Sequence, residues 1–432
     1  MNDDFRQPHS AMDALDEQLV DAEEDSLPRP RPPQFRSRAA RLLFGASLVL
    51  IAFNLRPLFS SLSVLLPEVI QETGLSTVGA SLLTTLPVVC LGVFAPFAPR
   101  LAQRFGAERT LLGALLLLAI STGLRGVASV PLLFAATLAA GAAIAVSNVL
   151  LPGVVKRDFA DSAAIMTGFY TMALCAGAAA GAGLTLPIEH VVGSWSGALA
   201  AWAVPGLAVA FIFAPQALAA RPQAAHAGFR VTGLWRDRLA WQVTLFMGLQ
   251  SALAYCVFGW LAPILRERGF EAAVAGGIVS LSVMAQVVTC LLVPSFAVRR
   301  RNQRGVNVVL VAAATVALLG LMFAPVWTVP FWAVLQGIGQ GGLIAAAMIV
   351  IVLRSPDPHV AAHLSGMAQG VGYVLAAIGP LLVGLIRSWT GSFDAAALLM
   401  VVLGAGAAWM GAGAGRALHV DARTLAIDER DT

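Results

Sequence analysis

Apolar runs long enough to cross a bilayer follow one another along most of this chain, separated by short polar stretches. A spanning helix needs about 20 mostly apolar residues. That length selects 42–66, 77–98, 110–128, 131–154, 163–187 and 196–214, then 241–265, 273–296, 306–325, 328–353, 361–387 and 394–414. Twelve spans therefore fall six and six about a polar stretch from Gln216 to Arg238. The pattern predicts an all-α membrane protein of two six-helix bundles, 42–215 and 241–415, joined by a central loop over 216–240. A tail over 416–432 closes the chain. Residues 1–41 are different: nine acidic residues lie between Asp3 and Asp25, and PRPRPPQFRSRAAR follows. Proline and charge at that density predict an unfolded tail. No apolar core precedes a small-residue cleavage site, so this segment does not read as a signal peptide.

Composition strengthens that reading. Of 432 residues, 58% are apolar and 12% are charged, and mean hydropathy is +0.79. A soluble domain carries about 25% charged residues, so this chain has too little charge to solvate a globular surface. A cytosolic enzyme, a nucleic-acid binder and a disordered protein are all excluded. The net charge of +4 comes from arginines in short clusters, with Lys156 the one lysine. Positive residues are retained on the cytoplasmic side of a membrane. The loops that place both termini inside hold fourteen basic residues, including Arg100, Arg104, Arg109, Lys156, Arg157, Arg221, Arg299, Arg300, Arg301 and Arg354. The outside loops and span ends hold four: Arg125, Arg266, Arg268 and Arg387.

The halves repeat. Asn54-Leu55-Arg56-Pro57 through Pro67 lies over Gln250 through Pro263 at an offset of 196, and the Arg100 loop over the Arg299 loop at 199. Parallel six-helix repeats about an axis normal to the membrane define the major facilitator architecture, with the solute site near midplane.

Arg56 is the most informative residue. It falls within two positions of the middle of span 1, too deep to reach either surface. A charge there costs at least about 2.5–3.5 kcal/mol, so it belongs in a cavity with a partner. All 24 carboxylates lie in tails, loops or span ends, and Glu68 is roughly 18 Å up the same helix. A guanidinium without a carboxylate suits a small planar anion; the alternative is a structural lock on helix carbonyls. Pro57 removes a backbone donor at the same depth and predicts a kink.

Asn54, Asn148, Tyr170, Gln250, Tyr255 and Gln340 sit near midplane and are expected to line the site with Arg56. Gln336 with Gln340, and Gln369 with Tyr373, are further pairs four apart. The six histidines, His9, His190, His226, His359, His363 and His419, fall in loops or tails, so no buried proton relay is visible. Cys90, Cys175, Cys256 and Cys290 show no metal or disulfide spacing and read as small buried fillers. Gly177 and Gly181 have the spacing of close helix packing. With Gly168 they also match the glycine pattern of an antiporter motif, although Ala182 stands where that motif has proline. No nucleophile, phosphate loop or metal cluster is present, so no catalytic site, metal or cofactor is expected.

These residues carry a family resemblance. NLRP (54–57), LLTTLPVVCLGVFAPFAPRLAQRFGAER (82–109), SNVLLPGVVKRDF (147–159), GFYTMAL (168–174) and MGLQSALAYCVFGWLAP (247–263) are similar to the cyanate/2-nitroimidazole transporter family (CynX/NimT-like) of the major facilitator superfamily. The resemblance covers nearly all of 42–415. It implies an inner-membrane carrier of small solutes, working by alternating access. In the first cytoplasmic loop, Arg100, Arg104, Gly106 and Arg109 resemble the superfamily's gate loop, but Pro99 and Gln103 replace its leading glycine and its aspartate. The expected partners are a small planar anionic or dipolar solute and membrane lipid, with no nucleic acid and no obligate protein partner. A drug exporter of the same superfamily, or a non-transporting membrane sensor with this fold, are the alternative readings.

Overall fold

The computed structural model describes residues 37–159, 162–220, 229–297, 302–356 and 358–426. The acidic part of the tail, Arg221 and Arg299–Arg301 lie outside the described residues. The chain divides into a leading unit, Met1–Leu43, and a main unit, Phe44–Thr432. The described part of the leading unit is residues 37–43, the start of a helix. The main unit contains everything that follows.

Twelve helical spans are long and apolar enough to cross a membrane among the described residues. Spans 1–6 are Arg38–Thr73, Thr77–Phe94, Ala107–Leu124, Val130–Val155, Ile165–Val192 and Trp195–Ala219. Spans 7–12 are Arg238–Glu267, Ala272–Cys290, Arg304–Phe323, Val326–Leu353, His363–Thr390 and Ala396–Ala414. The count agrees with the hydropathy pattern. An even number of crossings puts the start of span 1 and the end of span 12 on one side, called the terminal face below, opposite the far face.

Span 1 is broken rather than kinked. Its helix Arg38–Asn54 ends, Leu55 and Arg56 leave the helix, and Pro57–Thr73 begins a second one. The break has a local cause: Pro57 has no N–H, so the carbonyl of Phe53 loses its helical donor. Tighter bonds span the gap, from Leu55 N to Ala52 O at 3.1 Å and from Phe59 N to Arg56 O at 3.1 Å. Span 5 is shaped to cover the place. A Cβ on Gly177 would stand 2.0 Å from the Phe53 oxygen, and one on Gly181 2.9 Å from the Pro57 Cα. Glycines at four-residue spacing thus let the backbone of span 5 lie directly on the interrupted backbone of span 1. This accounts for the GxxxG spacing by packing.

The segments outside the spans hold more structure than the pattern predicts. Within the 216–240 loop, residues 216–219 still belong to span 6, and β1 (Phe229–Thr232) pairs antiparallel with β2 (Arg423–Ala426) from the 416–432 tail. Thr232 stands opposite Arg423 and Phe229 opposite Ala426. The tail is held further by Val420 N donating to Arg354 O at 2.9 Å. Arg354, read from sequence as an orienting loop charge, is buried. It donates from Nε to Ala414 O at 3.0 Å and from Nη2 to Gly415 O at 3.3 Å, and it bonds the Gln303 side chain. The last carbonyls of span 12 are unpaired within their helix and carry partial negative charge, which is where a guanidinium binds best. Arg125, beyond the end of span 3, is fully buried with no hydrogen-bond partner on its three guanidinium nitrogens among the described residues. Burial pushes its pKa down to about 10.

The span 1–span 5 contact predicts that Gly177→Val destabilises the protein by more than about 1–3 kcal/mol, since the overpacked atom meets backbone. Gly113→Ala, inside a helix at a position with nothing within 4 Å, should not lower stability and should raise it by up to about 1 kcal/mol. Heat-denaturation midpoints of the purified variants in detergent test both; equal midpoints would remove this seat as a structural constraint.

Candidate functional site

Arg56 occupies the interruption itself, with φ −108° and ψ −28°. Its half-buried side chain lines a cavity of about 70 Å³ near the middle of the spans. Span 5 contributes Thr171, Leu174, Cys175 and Ala178 to the wall. The second half contributes Met247, Gln250, Ser251, Ala254, Tyr255 and Phe258 from span 7, Val283, Gln286 and Cys290 from span 8, Ile344 from span 10 and Tyr373 from span 11. Both halves of the chain therefore enclose one cavity.

The guanidinium has little protein company. Its Nη1 donates to the Tyr255 hydroxyl at 3.4 Å, and it lies 5.8 Å from the centre of the Phe59 ring. No carboxylate pairs with it among the described residues. Five N–H donors are thus met by one long bond and one ring face. Around them stands an aromatic wall. The Tyr255 ring is 5.6 Å from Phe59, 6.3 Å from Phe258 and 6.2 Å edge-on from Tyr373.

Gln250 is buried and tied on several sides. Its amide nitrogen donates to Met247 O at 3.2 Å and to Ser251 Oγ at 2.8 Å, while its Oε1 accepts from Gln340 Nε2 at 3.1 Å. Gln340 therefore braces Gln250 from behind and does not line the cavity. Gln286 does line it, and its amide nitrogen is buried without a hydrogen-bond partner.

Of the residues expected at the site, the structure brings Arg56, Gln250 and Tyr255 together. Asn54 turns away: its amide donates to Leu50 O at 2.8 Å in its own helix, and its oxygen faces Gly206 of span 6. Asn148 and Tyr170 are half-buried and outside the cavity wall. Arg100, Arg104, Gly106 and Arg109 lie at the terminal face. Arg100 and Arg104 lean on Phe97 and Phe105 at 6.0 and 5.2 Å, Gly106 turns the chain at φ +88°, and Arg109 donates to Leu218 O at 3.3 Å. Each of these contacts stays within the first half. The carboxylates near this loop are Glu108 and Asp158, which share Arg157; its Nε donates to Asp158 at 2.7 Å and its Nη2 reaches Glu108. Burial opposes the charge on Arg157, but the bonds to Asp158 and Glu108 outweigh it and hold its pKa above the usual arginine range.

Tyr373, Gln286, Ser251, Thr171, Cys175 and Cys290 are wall residues beyond that expectation. Tyr373 carried a signal in its pairing with Gln369, although Gln369 bonds Ser365 Oγ at 2.8 Å instead and is not in the wall. Two polar ties between the halves lie toward the far face. Arg266 of span 7 donates to both oxygens of Glu68 in span 1, at 2.6 and 2.8 Å. Ser81 of span 2 donates to Leu381 O in span 11 at 2.9 Å.

Comparison with known proteins agrees with this architecture. The sequence profile described as Major Facilitator Superfamily matches residues 42–335. The chain is 37% identical over 382 residues to the 2-nitroimidazole transporter of Escherichia coli (strain K12), covering 87% of this chain and 96% of that one. It is 30% identical over 350 residues to the cyanate transport protein CynX of the same organism, covering 80% and 90%. Among solved structures, a bacterial homologue of the human lysosomal transporter Spinster, inward-facing and unoccupied, superposes with a TM-score of 0.67 at 15% identity, over 87% of this chain and 98% of that one.

The wall geometry separates two roles of Tyr255. Tyr255→Phe removes one long hydrogen bond and should lower stability by about 0.5–1.5 kcal/mol. Tyr255→Ala also removes the ring and should lower it by about 3–5 kcal/mol. Equal losses in thermal or SDS-induced unfolding would show that the ring contacts hold nothing.

Proposed function

The chain belongs to the Major Facilitator Superfamily, and on that premise we propose that it carries a small planar solute, anionic or strongly dipolar, of the cyanate or nitroimidazole kind. It is a multi-pass secondary transporter and not an enzyme. The observation that carries the solute reading is Arg56, a guanidinium lining a small cavity at mid-span with no carboxylate beside it among the described residues. At mid-span a cation without a counter-charge is costly, and a solute that brings acceptor atoms relieves it.

The rest of the wall suits a flat solute. Rings of Tyr255, Tyr373 and Phe258 offer faces and edges, and a volume of about 70 Å³ leaves little room for a bulky one. Gln250 and Gln286 place amides from the second half opposite Arg56 from the first, so a solute with acceptor atoms at two ends would touch both halves. The names of two relatives, a 2-nitroimidazole transporter and a cyanate transport protein, fall in this chemical class. Asn54, Asn148, Tyr170 and Gln340 act on this reading through packing and bracing.

Alternating access then means that the halves 42–215 and 241–415 rock about the cavity, with 216–240 as their connection. The ion pair Glu68–Arg266 and the Ser81 bond to span 11 shut the far face here. The arginine asymmetry supports placing both termini in the cytoplasm of a bacterial inner membrane. Arg100, Arg104, Gly106 and Arg109 would form the cytoplasmic gate loop. The drug-exporter reading drew on the span 5 glycines, and those have a packing reason at Phe53 and Pro57.

Flux into proteoliposomes tests the reading, with wild type beside Arg56→Gln. The panel is cyanate, nitrate, 2-nitroimidazole and a bulky dye, each with and without an imposed pH gradient. Saturable flux of a small planar solute, reduced at least about a hundredfold (about 2.7 kcal/mol) in the variant, is the expected result. Dye flux driven by pH and indifferent to Arg56 would replace it with an exporter in which Arg56 is a structural lock.

A further inference from the structure

Two of the four cysteines face each other across the halves. Cys175 belongs to span 5 and Cys290 to span 8, whose helix runs Ala272–Ala297, 115 positions later in the chain. Both are buried and both line the Arg56 cavity, on two helices that pack directly against each other. The Cys290 thiol also donates to Gly341 O at 3.3 Å. Small residues bring the two helices together: a Cβ on Gly276 of span 8 would lie 2.6 Å from the Ala182 oxygen of span 5, and one on Gly183 3.2 Å from Ser280 Oγ. With backbones this close, two short side chains can meet without help from longer neighbours. The remaining cysteines make no such pair. Cys90 donates to Leu138 O at 3.6 Å within the first half, and Cys256 packs on Gly379 within the second. All four are free thiols.

We propose that Cys175 and Cys290 are a modification site, whose two-electron oxidation forms a disulfide that ties span 5 to span 8 beside the solute cavity. The wall of the cavity is the route by which a small, uncharged oxidant reaches them. With an azo compound such as diamide, the two S–H bonds are lost and one S–S bond forms. The two electrons and two protons pass to the N=N group, which leaves as the hydrazine. A dithiol reductant reverses the step by exchange. A bond between the halves at this depth opposes any rocking that separates span 5 from span 8, so the oxidised carrier is held in one arrangement.

The full-length protein in proteoliposomes is treated with diamide, denatured, and its free thiols counted with a maleimide of high mass. Wild type should fall from four thiols to two. Cys175→Ser and Cys290→Ser should each keep three, whereas Cys90→Ser and Cys256→Ser should each fall from three to one. On the same vesicles, flux of whichever small solute the untreated protein carries should drop at least tenfold and return with dithiothreitol, in wild type but not in Cys175→Ser or Cys290→Ser. Four thiols remaining in treated wild type, or loss of thiols that persists in Cys175→Ser, overturns the site. A closed disulfide with undiminished flux overturns the tie. The thiol count does not depend on the solute, so it decides the site even if every solute on the flux panel fails to move.

Discussion

Everything near the centre of this protein depends on the interruption of span 1 at Leu55 and Arg56. In a bilayer every backbone polar group needs a partner, and broken helices survive only where protein covers them. Pro57 creates the break and orphans the Phe53 carbonyl, and Gly177 and Gly181 of span 5 close over it. The same two non-helical residues free the Arg56 side chain to turn into a cavity instead of lying along a helix face. The proline, the arginine and the two glycines are thus one device: the glycines allow the break, and the break presents the cation.

The second organising feature is the repeat. Arg56 bonds Tyr255, 199 positions on, and Glu68 bonds Arg266, 198 positions on. The repeat itself runs at offsets of 196 and 199. Spans 1 and 7 repeat at 196, so both contacts fall within one helical turn of the strict counterpart, as expected of equivalent helices that face each other across a pseudo-twofold axis. The symmetry is not carried into the chemistry. The first copy holds the arginine and the broken backbone; the second holds an unbroken helix, Arg238–Glu267, with Gln250 and Tyr255. The cavity is therefore polar on unequal terms, a charge on one side and neutral donors and rings on the other.

These facts also explain what could be read from the sequence. Span number, a disturbance of the helix at Pro57 and the depth of Arg56 follow from length and residue type alone, although the expected kink is a full break. Gln250 and Tyr255 were reachable through the repeat. Azimuth was not, because a span that faces lipid on one side and apolar neighbours on the other has no polar stripe to betray its inner face. Asn54 is the instructive case: two residues from Arg56, it belongs to the preceding helix and points at Gly206. Gln340 shows the second limit, since midplane depth does not distinguish a wall residue from its brace. Tyr373, Gln286 and the Cys175–Cys290 pair needed the helix packing itself. The β1–β2 pairing joins segments about 190 residues apart, with no hairpin signal in either.

A cavity with one fixed positive charge constrains the transport cycle on the proposed reading. Loaded with a monovalent anion, Arg56 and the solute together are neutral, and the halves move around an uncharged centre. Empty, the same motion must carry a guanidinium met, among the described residues, by a long bond to Tyr255 and the face of the Phe59 ring. The field of an uncompensated charge in a medium of low dielectric is felt strongly by everything around it. The loaded and the empty reorientations therefore differ by the electrostatic work of holding that charge, and a solute that leaves on one side makes the return step the harder one unless another anion takes its place. The absence of a carboxylate beside Arg56 among the described residues is what sets this asymmetry. A carboxylate there would neutralise the empty cavity and, by the same stroke, compete with the solute for the only charged donor in the wall.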